Sequence, residues 1–228
     1  MTTRPAERSR ARIGETLPAA FAEFLRHPSP WLIITTLTGA VVARVAVGDW
    51  QLRDLLIPVI LFVAFPFIEW GIHVALLHWK PRRIVGMKID PLVSRKHREH
   101  HVDPRIISLI FVPWQVLAWL LPALVLIGVF AFQAVGLAFG LTFSVTALSF
   151  LMVYEWIHYL IHTDHKPKYA PYRAVWKNHR HHHFKNEHYW FTVTSSGTAD
   201  RVLNTYPDPQ ETRTSKTARN LYALNGVV

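Results

Sequence analysis

Cysteine is absent from the 228 residues, which excludes disulfides, thiolate zinc ligands and an iron–sulfur cluster held by this chain. Any metal it binds must therefore take nitrogen or oxygen. Acidic residues are also few, 15 against 25 Lys and Arg, leaving a net charge of +10. A basic balance of this size ordinarily points to nucleic acid. Here, however, half of the residues are hydrophobic, and long runs almost free of charge alternate with short basic segments. That segregation is the mark of a polytopic membrane protein rather than a soluble basic domain, so nucleic acid is not an expected partner. No cleavable apolar segment follows the N-terminus, where Arg4, Arg8, Arg10 and Arg12 mix with Glu7 and Glu15. Residues 1–29 read as a basic cytoplasmic arm, without fixed structure as far as Pro28 and Pro30. No repeat of the solenoid kind is present.

What the chain does have is four apolar runs, at about 31–47, 55–79, 106–132 and 137–162. Each approaches or exceeds the ~20 helical residues that cross a hydrocarbon core. Arg44 near the end of the first can snorkel outward, Asp54 suits an N-cap for the second, and Pro58, Pro66, Pro113 and Pro122 predict kinks. The short link Gln133 to Gly136 predicts a helical hairpin between spans three and four. Aromatic residues such as Trp70, Trp79, Trp156, Tyr159 and Trp190 suit an interfacial belt. The expected fold class is all-α: a polytopic domain over 30–205 with about four transmembrane helices, a cytoplasmic histidine-rich helical cap at 80–105 and 163–205, and a polar tail at 206–228. Lys and Arg crowd the arm, the 80–105 insertion and the segment after 163, and not the connections at 48–53 and 133–136. The positive-inside rule then places both termini and the cap in the cytoplasm.

Histidine carries the chemistry. Two boxes of the form H-x2-H-H stand at His97, His100, His101 and at His179, His182, His183, positions i, i+3 and i+4 that share one side of a helix. His158 and His162 are an i, i+4 pair. His73 and His78 are five apart, about 140° round an ideal helix, which suits two different metals or a locally distorted turn. Under the charge topology all ten lie on one side of the membrane. Ten imidazoles exceed the four of a tetrahedral zinc site, so the count argues for two metals, and an all-nitrogen set suits iron, zinc, copper or nickel. Non-haem iron is the choice that makes a membrane enzyme useful, because oxygen activation reaches unactivated C–H bonds of lipid chains. Glu69 and Glu155 lie within a turn of His73 and His158, placed to accept the outer N–H of those rings and fix their orientation. His27, His165, His181 and His188 read as ordinary polar residues. A histidine-rich surface that binds metal adventitiously, or a pH sensor, accounts poorly for two identical boxes beside two spaced pairs.

These residues resemble the fatty acid hydroxylase and sterol desaturase superfamily of integral-membrane di-iron enzymes. The resemblance rests on E-x3-H-x4-H at Glu69, His73 and His78, on H-x2-H-H at His97 to His101, on Y-E-x2-H-Y-x2-H at Tyr154 to His162 and on H-x2-H-H at His179 to His183. The trailing Tyr189, Trp190, Phe191, Asp200 and Thr205 extend it, so it covers about residues 55 to 205. Box order and spacing look closest to the fatty acyl 2-hydroxylase branch, from which Asn178 departs where an extra histidine is common. The resemblance implies an oxygen-dependent lipid monooxygenase. Its ten histidines would hold two irons, zinc being able to replace them in purified protein, with dioxygen as co-substrate and a fatty acyl or sterol-like chain entering from the bilayer. With no room for a fused haem domain, electrons would come from a separate b-type cytochrome, or from a ferredoxin with its reductase. Desaturation or methyl oxidation of a sterol or carotenoid stays open on the same scaffold. Readings of another class are a membrane metal transporter and a b-type haem electron carrier; a zinc hydrolase fits less well, since His97-Arg-Glu-His100 lacks the H-E-x-x-H order.

Overall fold

The computed structural model describes residues 14–222; Arg4, Glu7, Arg8, Arg10 and Arg12 lie outside them. Four helical stretches are long and apolar enough to cross a membrane: Pro28–Val47, Leu52–Leu77, Ile107–Ala131 and Leu137–His162. The protein is an all-α polytopic membrane protein. Span one is α2 (Pro28–Val47). Span two runs from a 3-10 turn (Leu52–Leu55) through α3 (Leu56–Ile72) into a π turn (His73–Leu77), and span four is α7 (Leu137–His162). Span three is broken as the prolines predict. A single turn, α5 (Ile107–Ile110), stops at an extended Phe111, and α6 (Trp114–Ala131) restarts behind Pro113. Pro66 and Pro122 sit inside α3 and α6. Large apolar side chains such as Phe62, Val63 and Phe130 stay exposed on the outer faces, where lipid is their natural cover.

Spans one, three and four form the core, where Ile33 and Ala40 meet Leu117, Leu121 and Leu148. Lipid tails are as apolar as leucine, so close backbone approach has to hold such helices together. Gly128 and Gly140 supply it at the α6–α7 crossing, each standing where a Cβ would overlap the other's carbonyl. Span two packs on α7, with the rings of Phe65 and Phe150 stacked at 4.6 Å.

Arg44 does not snorkel. It turns inward, donating to Asp54 (2.7 Å), Thr142 (2.8 Å) and the Gly48 carbonyl beneath the Trp50 ring. A buried carboxylate within reach makes pairing better than leaving the core. Asp54 also accepts the Gln51 N–H (3.0 Å), capping the 3-10 turn rather than an α-helix.

The histidine end carries α1 (Leu17–Phe24), a two-stranded hairpin of β1 (Arg82–Ile84) and β2 (Met87–Ile89), α4 (Leu92–Val102), α8 (Ala170–Phe184) and α9 (Thr198–Val202). Two expectations change here. The arm is helical from Leu17, because Thr16 caps it and Ala20 and Phe24 bury against Phe111 and Tyr159. Tyr159 and Trp190 are wholly buried rather than interfacial. The hairpin, too short to show periodicity, was not foreseen in a helical cap.

A methyl group on Gly140 must push α6 from α7, so Gly140→Ala should destabilise the protein by about 1–3 kcal/mol, read as a lower thermal unfolding temperature in detergent.

Candidate metal centre

The ten patterned histidines come together as two buried groups of five, in each of which the ligand atoms lie within 4.8 Å of one another. The first contains His73, His78, His97, His101 and His182; the second contains His100, His158, His162, His179 and His183. The π turn makes the first possible. The His78 N–H bonds the His73 carbonyl at 3.0 Å, and this wider turn swings residues five apart onto one side, with ring centroids 4.9 Å apart. Of the two options left by the spacing, the distorted turn is the one found.

Neither triplet serves a single group. On a helix, i and i+4 differ by about 40°, whereas i+3 lies about 60° to the other side. His97 with His101, and His179 with His183, therefore stay together, while His100 and His182 each cross to the opposite group. Within the first group the Nε2 atoms of His73 and His97, of His97 and His101, and of His78 and His182 are 3.1, 3.1 and 3.2 Å apart. In the second, those of His100 and His162, His162 and His179, and His179 and His183 are 3.1, 3.0 and 3.0 Å apart.

Protons cannot account for this convergence. Nδ1 of His73 faces the Phe191 carbonyl at 2.6 Å, that of His101 the Ala218 carbonyl at 2.8 Å and that of His182 the Tyr189 carbonyl at 2.8 Å. A carbonyl only accepts, so each Nδ1 carries the proton and each Nε2 presents a lone pair inward. His97 has one Nε2 and faces two such lone pairs; one N–H cannot satisfy both. A cation can. A metal–nitrogen bond of about 2.1 Å sets ligands at right angles about 3.0 Å apart and tetrahedral ones about 3.4 Å apart. The shortest separations match the former and each group offers five donors, one more than a structural zinc takes, so the donor sets fit five- or six-coordinate ions better. Burial pushes His78, His97, His100, His179, His182 and His183 well below their ordinary 6.5, and His101 down to about 3. These rings are neutral at pH 7, the form that ligates.

The carboxylates work differently from the expectation: the hydrogen bonds found for them are not with imidazoles. Glu69 accepts the N–H groups of Val193 (2.6 Å) and Thr194 (3.0 Å) and the Thr194 hydroxyl (2.7 Å). Glu155 accepts the Ser29 hydroxyl and the Val112 N–H (3.0 Å), tying span one and the break in span three to α7. The break in span three and the non-helical stretch at Val193 and Thr194 both leave backbone N–H groups without helical partners in a buried setting, where a two-oxygen acceptor is the economical remedy. Asp200 does the same, collecting the N–H groups of Phe191 (2.8 Å) and Thr192 (2.9 Å) and the Thr205 hydroxyl (2.8 Å). With its amides bound, the 189–194 segment turns its carbonyls to His73 and His182. The Phe191 ring lies against His73, His78 and His182.

Residues 206–222 are no mere tail. They return over the first group: Ala218 holds His101, the Tyr222 hydroxyl donates to the His78 carbonyl, Ser215 and Thr217 donate to buried Glu187, and Tyr206 donates to Asn178 at 3.0 Å. The Ala218 carbonyl carries no side-chain signal, so sequence could not reveal it. The other histidines stand apart: His27 meets Glu23, His165 the Glu15 carbonyl, His181 the Trp190 ring, and His188 is exposed.

An apolar cavity of about 430 Å³ ends at the first group. It lies among spans two, three and four, lined by Leu61, Phe65, Leu120, Phe143 and Phe150 among others, and reaches Glu69, His73 and Tyr154 at its inner end.

Residues 58–205 match the model of the family described as fatty acid hydroxylase. The chain belongs to the fatty acid hydroxylase family. No curated protein and no solved structure matches it. The fatty acid hydroxylase match closes at Thr205, so the strap at 206–222 lies beyond it. Family and histidine groups together mark an oxidoreductase, a metal-dependent lipid oxidase set in a membrane.

Asp200→Asn puts an amide where backbone N–H groups need an acceptor. Metal per chain should fall as the first group loses its hold, with about 1–3 kcal/mol of stability lost; elemental analysis and thermal unfolding read the two effects. Metal-stripped protein should lose stability as pH falls from about 6.5 toward 3, because the unfolded chain takes up protons that buried His101 refuses over that range.

Proposed function

We propose that the protein is an oxygen-dependent di-iron lipid monooxygenase that hydroxylates a C–H bond of a fatty acyl or sterol-like chain. The observation that carries this reading is the pairing of two five-histidine groups with an apolar cavity that ends on His73. Nitrogen-only donors at near-right-angle spacing suit iron, and five converging imidazoles exceed the two that a haem accepts. All ten histidines would hold the metals, His73, His78, His97, His101 and His182 one ion and His100, His158, His162, His179 and His183 the other. Bound iron supplies the activation of dioxygen.

The chain's own residues do the rest. Leu61, Phe65, Leu120 and Phe150 grip an extended hydrocarbon, and the cavity volume lies within the 300–1,000 Å³ usual for ligand pockets. Exposed Ile68, Ile72 and Trp119 line its outer side, an entry facing lipid between spans two and three. Phe191 excludes water from the first group. Glu69 and Asp200 position the carbonyls that aim the imidazoles. Two electrons come from a separate b-type cytochrome, or from a ferredoxin with its reductase. A cytoplasmic position for both termini and the metal end is supported by the basic segments at 80–105 and after 163.

Protein purified with its native metal should contain two irons per chain, and lipids from cells making it should gain one oxygen atom traceable to isotopically labelled dioxygen. His97→Ala and His162→Ala should each abolish that product. A lipid that gains a double bond and no oxygen would instead assign desaturation. Unchanged lipids from an iron-loaded, reducible protein would defeat the reading.

A further inference from the structure

The segment joining span two to α4 is a hairpin whose tip is apolar and bare. Arg82 pairs with Ile89, Arg83 with Lys88 and Ile84 with Met87, so Val85 and Gly86 form the turn. A two-residue turn with φ of 49° and 78° calls for Asn or Gly at its first position. Val85 is a β-branched residue in the conformation that suits it least, and it is 93% exposed, with Ile84 and Met87 exposed beside it. Neither folding nor solubility explains three adjacent apolar side chains there.

Charge supplies the second observation. Lys80, Arg82, Arg83 and Lys88 are exposed around the tip. Asp90, the one acid from 80 to 90, is taken by Arg98 at 2.7 and 2.9 Å. Among the described residues no acid pairs with Lys80, Arg82, Arg83 or Lys88. Position supplies the third. Span two ends at Leu77, and the five residues to Arg82 reach at most about 17 Å. Trp79 shortens that tether, donating to the Ile89 carbonyl at 3.3 Å while the Arg82 guanidinium lies 5.0 Å from its ring. An apolar tip ringed by bases and held at the edge of the hydrocarbon is complementary to anionic headgroups over acyl chains. Three side chains are too small a patch for a stable protein interface.

We propose that the 80–89 hairpin docks into the headgroup layer of an anionic membrane, with Ile84, Val85 and Met87 entering the acyl boundary and Arg82, Arg83 and Lys88 binding lipid phosphates. Leu77 and Val93, which flank the hairpin, both line the cavity, so docking fixes the cavity's rim to the surface of the bilayer.

The cysteine-free chain makes the test direct, since Val85→Cys introduces a single thiol. That variant, labelled with a small environment-sensitive fluorophore, is placed in phosphatidylcholine nanodiscs with and without phosphatidylglycerol. Lipids spin-labelled near the headgroup and the neutral aqueous quencher acrylamide report the depth of the tip. The expected result is strong quenching by the lipid and protection from acrylamide with phosphatidylglycerol present, both weakened without it. Adding Arg82→Gln, Arg83→Gln and Lys88→Gln should lower lipid contact by roughly five-fold per base. Equal access of acrylamide in both nanodiscs and in micelles would overturn the proposal, leaving the tip to water or to a protein partner. Lipid quenching indifferent to phosphatidylglycerol would overturn the recognition of an anionic membrane. The lipid comparison needs no charge variant, so it decides the matter even if the triple substitution misfolds.

Discussion

Ten imidazoles packed into two buried groups are the constraint on which the rest of this structure depends. A lone pair turned inward is useful only if the opposite nitrogen keeps its proton, and that proton needs an acceptor. For His73, His101 and His182 the acceptor is a main-chain carbonyl. Carbonyls can be aimed only by fixing the peptide that carries them, so the demand passes outward to the groups that hold the neighbouring amides. Asp200 and Glu69 are those groups for the 189–194 segment. The broken, irregular backbone at this end is thus the means by which rigid helices are trimmed to ligand geometry. Its polar groups are tolerable at such depth because carboxylates satisfy them.

The four spans, the proline break at 113 and the grouping of histidines at one end follow from apolar run length, missing N–H groups and helical spacing, and all were legible. The helical positions of His158 and His162, and of each triplet, translate directly into rings on a shared side. What spacing could not convey was the allocation of ligands. That depends on how α4 and α8 are placed against the spans, and placement is a tertiary property. The same holds for the two glutamates. One turn from a histidine is a reason to expect contact, but the buried amides of Val112, Val193 and Thr194 compete for the same oxygens and prevail.

Elements whose role lies in the backbone were hidden altogether. Ala218 acts through its carbonyl, and nothing in an alanine announces it. The strap reads as a polar tail because its side chains are polar; its anchors, Ser215 and Thr217 on Glu187 and Tyr206 on Asn178, only acquire meaning once α8 is in place. Arg44 departs from its expected position for a related reason. Sequence shows a charge near a span end and suggests water as its solvent, whereas Asp54, ten residues on, is brought back by the 3-10 turn to serve instead.

The crossing of His100 and His182 has a consequence for assembly. Because α4 and α8 each contribute to both groups, neither group is complete until both helices are docked, and docking either helix for one group brings a histidine to the other. Assembly of the two groups then becomes a single cooperative event in which completing the first lowers the entropic cost of the second.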